Sequence, residues 1–478
     1  MGHRDFREFL ALAEQRGLLR RVQKTVDRNW EPGCFIKWVF QALPDEKRFG
    51  LMFDNVEGSK FPLVTGVLGA STEAYALALG VEPDEINRTW VEGLLNPQSP
   101  RTVERAPCQE VVLLGKEAKL SDLPIPVWTP GKDPGPYVTT ITVTRNAETG
   151  GQNMGVYRAK VRDDHSLVCN LRATRQGFDY TNTYLDQGKP APIAWVIATE
   201  PVIHLATVAN LPIGVDEITV AGGLKGEPIE MVKAKTVDLM VPANAEMIIE
   251  GEVLNEFEEE GPFGEFAGYM SSVTKKPIVR ITAITHRKDA IYYGYASQIP
   301  PSESTVIQSL SNAPVLLKRL RHDFGELTVR DVFVDLTFGG LLGHCIVSMK
   351  PVVPGHAKKI GRLIADMSLI KRVTVVDEGV DIHDPMHIEW AMNCHYNPVR
   401  DTIIIDNIYA GSDPSLRIVD GVKELGSKVV IDATESVDPG ELSLPSKEYM
   451  IKALDAWKKA SLPEFDIPRR LKNQLERS

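Results

Sequence analysis

Residues 245–269 read AEMIIEGEVLNEFEEEGPFGEFAGY, which predicts a strand running into an acidic turn. The apolar run at 245–254 is typical of a β-strand. It leads to a Gly-Pro-Phe-Gly turn bracketed by Glu260 and Glu265. Proline fixes φ and glycine permits backbone conformations that other residues resist, so such a turn can hold two carboxylates close together.

The acidic turn has two interpretations. Two neighbouring carboxylates resist ionising together, and the pKa of one of them tends to rise. A carboxylic acid with a raised pKa is a proton donor at neutral pH. The alternative is a solvated surface turn that continues the acidic run at 256–259. Spacing alone does not decide between them.

Around this stretch, residues 111–300 are rich in short β-type runs separated by turn signals. Many short strands at this spacing predict a barrel or a sandwich. The runs are 137–145, 154–162, 166–172, 191–198, 230–239, 245–254, 278–286 and 290–296.

The flanking regions mix helices and strands. Asp5 and Glu8 form a predicted capping box at the first helix. Two strands are predicted around Gly339-Gly340, and an amphipathic helix at 447–459 follows the proline-containing stretch 439–445. We predict an α/β (α+β) fold in four parts: an N-terminal α/β region (1–110), a central β-barrel domain (111–300), a helical linker (301–325) and a C-terminal α/β domain (326–478).

Composition excludes several classes of protein. The 478 residues are 43% hydrophobic and 25% charged, as in ordinary globular proteins, and the net charge of −10 argues against a nucleic-acid partner. The five cysteines form no C-x-x-C pair, which favours a reducing cytoplasm over a zinc site or a disulfide scaffold. No apolar run reaches a membrane-spanning length, and the Walker loop, G-x-G-x-x-G and G-x-S-x-G are missing from the sequence.

Arg158 is the second chemical feature. On its predicted strand, a period of two places Met154, Val156 and Arg158 on one face. An arginine among apolar residues is expected to be semi-buried and paired, although a strand-end arginine that reaches for water fits equally. If Arg158 pairs with Glu260, it keeps that carboxylate ionised and leaves Glu265 to hold a proton. The three residues would then form an acid–base relay.

Asn153 and Glu217 are candidate metal ligands. Both offer hard oxygen atoms, which suit Mg²⁺ or Mn²⁺ held partly by a phosphate. The loop at 211–217 would present Glu217 inward. The alternative is that Asp216 and Glu217 belong to a solvated loop.

Taken together, these segments resemble the UbiD family of prenylated-FMN-dependent (de)carboxylases. The resemblance is carried by NMGVYR at 153–158, LPIGVDE at 211–217 and EGPFGEFAGY at 260–269, with VPANAE at 241–246 in support. It extends over nearly the whole chain. It implies that the central domain is a split β-barrel that binds flavin and that the C-terminal domain serves oligomerisation.

The resemblance also implies roles for single residues. Arg158, Glu260 and Glu265 match the family's catalytic triad, with Glu265 as the proton donor and the other two as a supporting ion pair. Asn153 and Glu217 match the metal ligands at the flavin phosphate. The third metal ligand, a histidine in some members, falls on Gln176, and Arg175 and Lys358 are further predicted phosphate contacts.

The implied reaction is a reversible, non-oxidative decarboxylation of an aromatic, heteroaromatic or α,β-unsaturated acid, of EC 4.1.1 type. The implied cofactors are prenylated FMN and Mn²⁺ or Mg²⁺, with K⁺ as a further candidate. The implied partners are the acid, CO₂, a flavin prenyltransferase that supplies the cofactor, and further copies of the chain in a homodimer or hexamer. The expected location is the cytoplasm.

Two residues are candidate determinants of the substrate. Phe266 follows the predicted proton donor and is expected to line the pocket, and Arg172 is a candidate contact for a second polar or acidic group. A surface strand arginine is the alternative for Arg172. Two other functions stay open: a flavin-dependent oxidoreductase on a split barrel, and a non-catalytic subunit of a decarboxylase complex.

Overall fold

The computed structural model describes residues 2–173, 175–212, 214–338, 343–409, 413–419, 422–434 and 442–477. They fall into two compact units, one within Met1–Val315 and Leu336–Gly340 and the other within Leu316–Asp335 and Leu341–Ser478. The mixed α/β fold is confirmed, whereas the predicted boundaries at 110, 300 and 325 stay predictions. Residues 213 and 339–340 and part of the stretch 439–445, all named above, lie outside the described residues.

The first unit begins with a helix and a small sheet. The side chain of Asp5 caps the helix Phe6–Gln15 by accepting a hydrogen bond from the backbone N–H of Glu8. The sheet takes its last strand from far along the chain, because Tyr292–Tyr293 pairs in parallel with Leu63–Thr65. In sheet order its strands are Leu19–Val26, Gly50–Val56, Leu63–Thr65 and Tyr292–Tyr293. The helices of this region are Glu31–Ala42, Thr72–Leu79 and Ile86–Leu95.

The central element of the first unit is a sheet with nine strands among the described residues. In sheet order the strands are Tyr137–Val138, Ala159–Asp163, Ser166–Cys169, Thr274–His286, Met247–Glu260, Ala191–Ile197, Ile141–Arg145 and Gln152–Val156, with Val111–Leu114 paired to Thr274–His286. A smaller sheet joins Met240–Pro242, Glu230–Lys233 and Arg101–Thr102.

Two predicted strands each divide in two and join opposite ends of this sheet. Ile141–Arg145 pairs with Gln152–Val156 at one end, while Tyr137–Val138 pairs with Ala159–Asp163 at the other. The sheet therefore curls so that one chain segment reaches both ends, which is the arrangement of a split barrel. We call the gap at residues 157–158 the seam. The carbonyl oxygen of Tyr157 lies outside the strand pairing there and accepts hydrogen bonds from Trp195 Nε1 and Thr142 Oγ1.

Three helices lie in the region predicted to be β-rich: Gln176–Leu185, Pro201–Val208 and Glu217–Lys225. The last helix, Glu217–Lys225, contains two adjacent glycines, Gly222 and Gly223. A Cβ atom on Gly223 would come within 2.3 Å of the carbonyl oxygen of Gly93, so glycine is needed where this helix packs against Ile86–Leu95. The two glycines therefore serve helix packing in this region.

The helix Glu303–Lys318 lies in the predicted helical linker and contains Pro314, and a π-helical turn at Arg319–Asp323 follows it. The second unit is built on one sheet, whose strands in order are Val329–Val334, His344–Met349, Arg372–Asp377, Gly426–Ala433 and Thr402–Ile408. A short hairpin pairs Ile418–Val419 with Val422–Lys423. The helices are His356–Met367, Pro385–His395, Pro398–Asp401, Lys447–Lys459 and Arg469–Arg477. Within the described part of the chain, no helix is both long and apolar enough to span a membrane.

Candidate active site

Arg158 connects both carboxylates of the acidic turn. Its Nε and Nη2 donate to the two oxygens of Glu260 at 2.8 and 3.1 Å, and its Nη1 donates to Oε1 of Glu265 at 2.5 Å. The Glu260 side chain is fully buried and that of Arg158 is 10% exposed. The structure therefore brings the three predicted residues together at the seam of the barrel.

Aromatic and hydroxyl groups hold the guanidinium in place. The ring of Phe263 lies 4.7 Å from the guanidinium carbon of Arg158 and packs against the ring of Tyr137. Ser271 Oγ accepts hydrogen bonds from Arg158 Nη2 and from the backbone N–H of Phe263. Arg158 can therefore turn away from Glu260 only by giving up several contacts at once.

The turn is fixed by its backbone. Gly261 has φ +95°, and a Cβ atom there would lie 2.9 Å from the carbonyl oxygen of Ser272, so only glycine suits the position. The backbone N–H of Glu265 donates to the carbonyl oxygen of Tyr269 at 2.8 Å. Glu260 ends the long strand Met247–Glu260, and Glu265 begins a tight return. The interpretation as a solvated surface turn is wrong, because the turn is hydrogen-bonded and the Glu260 carboxylate is fully buried.

A second arginine changes the predicted protonation of the pair. Arg172 Nη2 donates to Glu265 Oε1 at 2.6 Å, the same oxygen that accepts from Arg158. Burial alone would raise the pKa of Glu265, but the charges of Arg158 and Arg172 and their hydrogen bonds bring it below its ordinary value. The expectation that Glu265 is left to hold a proton is therefore wrong for the protein without ligand. The same two carboxylates raise the pKa of Arg158 despite its burial.

The predicted common face of Met154, Val156 and Arg158 is also wrong. Met154 is buried, whereas Val156 is exposed. The chain leaves one strand at Val156 and joins another at Ala159, so the alternation of the first strand stops before Arg158. The bend at the seam, and not strand periodicity, directs Arg158 towards the acidic turn.

The predicted metal ligands surround Tyr157, a residue that the sequence reasoning did not single out. The Tyr157 hydroxyl accepts from the backbone N–H of Gly177 at 3.0 Å and lies 3.4 Å from Nδ2 of Asn153. Glu217 Oε2 accepts from the backbone N–H of Met154 at 3.2 Å. The signal available in the sequence was the tyrosine inside the NMGVYR segment itself.

Glu217 is a half-buried carboxylate with a shifted pKa. It is the first residue of the helix Glu217–Lys225, which Asp216 caps, so the predicted loop ends one residue earlier. Burial raises the pKa of Glu217 to about 7, and only backbone N–H groups oppose this rise. In the described part of the chain, no ion pair involves Glu217. A carboxylate in this state fits a site that is completed by a metal ion.

Gln176 and Arg175 lie at the start of the neighbouring helix. Gln176 is the first residue of Gln176–Leu185 and its Nε2 donates to the hydroxyl of Tyr180 at 2.6 Å, which leaves its Oε1 as the ligand atom for a cation. Arg175 occupies the position just before the helix, makes no side-chain capping hydrogen bond and is exposed. Its charge opposes the burial that raises the pKa of Tyr157, so Arg175 lies within electrostatic range of the same corner.

Two other predicted residues have known surroundings. Lys358 lies in the second unit on His356–Met367, where its Nζ donates to the carbonyl oxygen of Arg400. Phe266 is half-buried, and its ring lies 6.2 Å from that of Phe338. Among the residues described, no group of three or more His, Cys, Asp and Glu residues could hold a metal. This absence does not bear on the predicted metal site, because two of its three predicted ligands, Asn153 and Gln176, are of other residue types.

Three family models match consecutive parts of the chain. They describe 3-octaprenyl-4-hydroxybenzoate carboxy-lyase: its N-terminal domain matches residues 10–94, its Rift-related domain 101–299 and its C-terminal domain 305–433. An uncharacterized protein of Synechocystis sp. is 30% identical over 466 residues, which cover 91% of this chain and 90% of that protein.

Solved structures of UbiD-class enzymes are similar over nearly the whole chain. An evolved dimeric form of HmfF from Pelotomaculum thermopropionicum, in complex with prFMN, is 30% identical with a TM-score of 0.80, covering 93% of this chain and 97% of that one. Vanillic acid decarboxylase of Sedimentibacter hydroxybenzoicus in closed form is 29% identical with a TM-score of 0.84, covering 96% and 100%.

These matches cover the N-terminal region, the split barrel and the C-terminal domain. The chain belongs to the UbiD family of carboxy-lyases.

Proposed function

We propose that this protein is a prenylated-FMN-dependent, reversible decarboxylase of an aromatic, heteroaromatic or α,β-unsaturated acid, in which Arg158, Glu260 and Glu265 are the catalytic residues. The observation that carries the proposal is the link from one guanidinium to both carboxylates at the seam of the barrel. It is supported by the similarity to HmfF, whose structures hold prFMN or FMN.

The proposed cofactor site is the corner around Tyr157. Oxygen atoms of Asn153, Gln176 and Glu217 would hold Mn²⁺ or Mg²⁺, since the uncompensated carboxylate of Glu217 favours a cation. Arg175 and Lys358 would contact the phosphate, while no residue is assigned to the further candidate K⁺. When bound, prenylated FMN supplies an electron sink for the electrons left on carbon after CO₂ departs.

The protein's own residues would manage the proton. Glu260 holds Arg158 at a fixed place, and Arg158 orients Glu265. In the carboxylation direction an ionised Glu265 is the form required, because it takes the proton from the carbon. In the decarboxylation direction Glu265 must first take up a proton and then give it to the carbon. Both directions therefore depend on how strongly the two arginines bind Glu265.

The surroundings of the enzyme follow from the same proposal. The substrate and CO₂ are small molecules, and a flavin prenyltransferase would supply the cofactor. A homodimer or a hexamer is the proposed assembly, and the cytoplasm is the proposed location. HmfF, as one UbiD-class enzyme, has an evolved dimeric form.

The test is Glu265→Gln in protein co-expressed with a flavin prenyltransferase. We expect CO₂ release from a panel of aromatic acids to fall by about 10²–10⁴-fold, since the proton donor is lost. The absorbance and mass spectra of the bound cofactor should stay those of the wild type. Glu258→Gln is the matched control, because Glu258 lies on the strand that leads into the acidic turn, has an exposed side chain and pairs with Arg162. Full turnover in Glu265→Gln with normal cofactor content would contradict the role of Glu265.

The same preparation separates the open alternatives. A flavin-dependent oxidoreductase would consume NAD(P)H, and a non-catalytic subunit would neither release CO₂ nor exchange a carbon-bound proton for deuterium. CO₂ release without NAD(P)H consumption is the result expected for the decarboxylase.

A further inference from the structure

Two arginines share a single carboxylate oxygen beside the proposed reaction centre. Oε1 of Glu265 accepts from Arg158 Nη1 and from Arg172 Nη2. The two guanidinium groups differ in how firmly they are held. Arg158 is 10% exposed and forms a two-point pair with Glu260, whereas the Arg172 side chain is 35% exposed. Arg172 is therefore the one of the two that an incoming ligand can reach.

A third cation lies near the two arginines. Lys276 lies within electrostatic range of Arg158, Arg172 and Glu260, and its Nζ donates to the carbonyl oxygen of Leu171. Cationic side chains in a partly shielded site favour an anionic ligand, and a guanidinium suits a carboxylate in two-point geometry.

We propose that Arg172 binds a second anionic group of the substrate, and that this group competes with Glu265 for the guanidinium. The inference rests on the proposed function and narrows it, because it assigns the substrate to aromatic acids that bear a second carboxylate or a comparable anion. Arg158 does not take this role, since it is bound to Glu260 and stacked on Phe263.

The competition gives the substrate control over the proton donor. Removing one of the two cations from Oε1 weakens the interaction that keeps Glu265 ionised, so proton uptake becomes easier when the second anion binds. Arg158 stays bound to Glu265, and Glu260 and Lys276 lie near Arg158. An acid without the second anion leaves Arg172 on Glu265.

The inference is tested by binding, which is independent of turnover. Isothermal titration calorimetry on the full-length protein would compare benzoate, with one carboxylate, with isophthalate and terephthalate, which carry two. We expect the better of the two dicarboxylates to bind wild-type protein about tenfold more tightly than benzoate, as one additional charge-assisted contact would give. Equal affinity for all three probes would overturn the proposal.

Variants at both ends of the ion pair sharpen the test. In Arg172→Gln the preference for the dicarboxylate should fall to about one, and Arg172→Lys should restore part of it. Arg162→Gln is the matched control, because Arg162 is a nearby strand arginine that pairs with Glu258 instead, and its preference should equal that of the wild type. An unchanged preference in Arg172→Gln would overturn the proposal, as would an equal loss of affinity for benzoate and both dicarboxylates.

Glu265→Gln provides a second reading that does not depend on how well Arg172→Gln folds. Removing the competing carboxylate should remove the contact that Arg172 Nη2 makes with Glu265 and make the dicarboxylate bind several-fold more tightly, while benzoate binding should change little. Weaker dicarboxylate binding in this variant would contradict the competition. These titrations stay informative even if Glu265→Gln retains turnover, so failure of the inference and failure of the proposed function are distinguishable.

Discussion

Glu265 and Glu217 are two shielded carboxylates of the same unit with opposite electrostatics. Burial raises the pKa of both. At Glu265 the charges of Arg158 and Arg172 more than offset this effect, and the pKa falls below its ordinary value. At Glu217 only backbone N–H groups oppose burial, and the pKa rises to about 7.

The difference lies in the number of cations and not in the depth of the side chain. The Glu265 corner is complete, because two cations of the chain itself, Arg158 and Arg172, already bind this carboxylate. Among the described residues Glu217 itself forms no ion pair, although Arg175 lies within electrostatic range of the same corner. An uncompensated carboxylate is costly, so a site that keeps one is suited to an ion supplied from outside.

The largest expected effect comes from removing the cation of the complete corner. Arg158→Met leaves the fully buried Glu260 unpaired and should lower the free energy of unfolding by about 3–5 kcal/mol at pH 7, measured by urea denaturation. Arg162→Met, at an exposed pair with Glu258, should cost less than about 1 kcal/mol. Equal losses in the two variants would mean that the seam pair behaves as a surface pair.

The next effect concerns the incomplete corner and depends on pH. Because the folded protein holds the Glu217 proton more tightly than the unfolded chain, the wild type loses stability as pH rises from about 4.5 to 7, by roughly 3 kcal/mol, and no more above that. Glu217→Gln removes this loss. Its free energy of unfolding, relative to wild type, should therefore be higher at pH 8 than at pH 5.

Added Mn²⁺ provides a further check on the comparison of Glu217→Gln with wild type. Added Mn²⁺ should stabilise wild-type protein at pH 8 and leave Glu217→Gln nearly unaffected, because the carboxylate ligand is gone. A difference between variant and wild type that does not change with pH would contradict the raised pKa.

A smaller effect is expected at Tyr157. Tyr157→Phe leaves the buried N–H of Gly177 without its acceptor and should cost about 1–2 kcal/mol of unfolding free energy, with weaker Mn²⁺ binding. Tyr449→Phe, on an exposed face of Lys447–Lys459, should change stability by less than about 0.5 kcal/mol. Unaltered Mn²⁺ affinity in Tyr157→Phe would show that the Tyr157 hydroxyl does not contribute to the proposed metal site.

The smallest effect returns to the complete corner. Ser271→Ala removes a hydroxyl that accepts from Arg158 and from the backbone of Phe263, yet Arg158 keeps both carboxylates. We expect a cost of about 0.5–1 kcal/mol. Ser272→Ala is the matched control, since Ser272 is exposed and adjacent, and should be neutral in the same urea experiment.

Local patterns predicted the second unit well. The two strands predicted around Gly339-Gly340 are Val329–Val334 and His344–Met349, and the amphipathic helix predicted at 447–459 is Lys447–Lys459. Such elements are encoded by short-range periodicity. The barrel strands expected at 137–145 and 154–162 each divide in two, because their pairing is decided by strands far away in sequence, and periodicity within one run carries no information about that.

The candidate site was predicted through family resemblance more than through physics. The approach of Arg158 to Glu260 and Glu265 followed from matched segments. The protonation of Glu265 was predicted wrongly, because it depends on Arg172, which lies 93 residues away and whose contact with the turn no spacing rule indicates. Tyr157 was missed for a similar reason. Its hydroxyl contacts Gly177 and Asn153, and only the folded chain brings Gly177 close to this strand.

The strand Tyr292–Tyr293 in the N-terminal sheet has a consequence for how the protein is made. The first sheet is held to this strand by parallel pairing and by a hydrogen bond from Thr65 Oγ1 to the carbonyl oxygen of Gly294, across a separation of 229 residues. A nascent chain therefore cannot complete its first sheet until the barrel has left the ribosome. Contacts of such range slow folding. The first sheet therefore keeps an unpaired strand edge, at Leu63–Thr65, while the rest of the first unit is being synthesised.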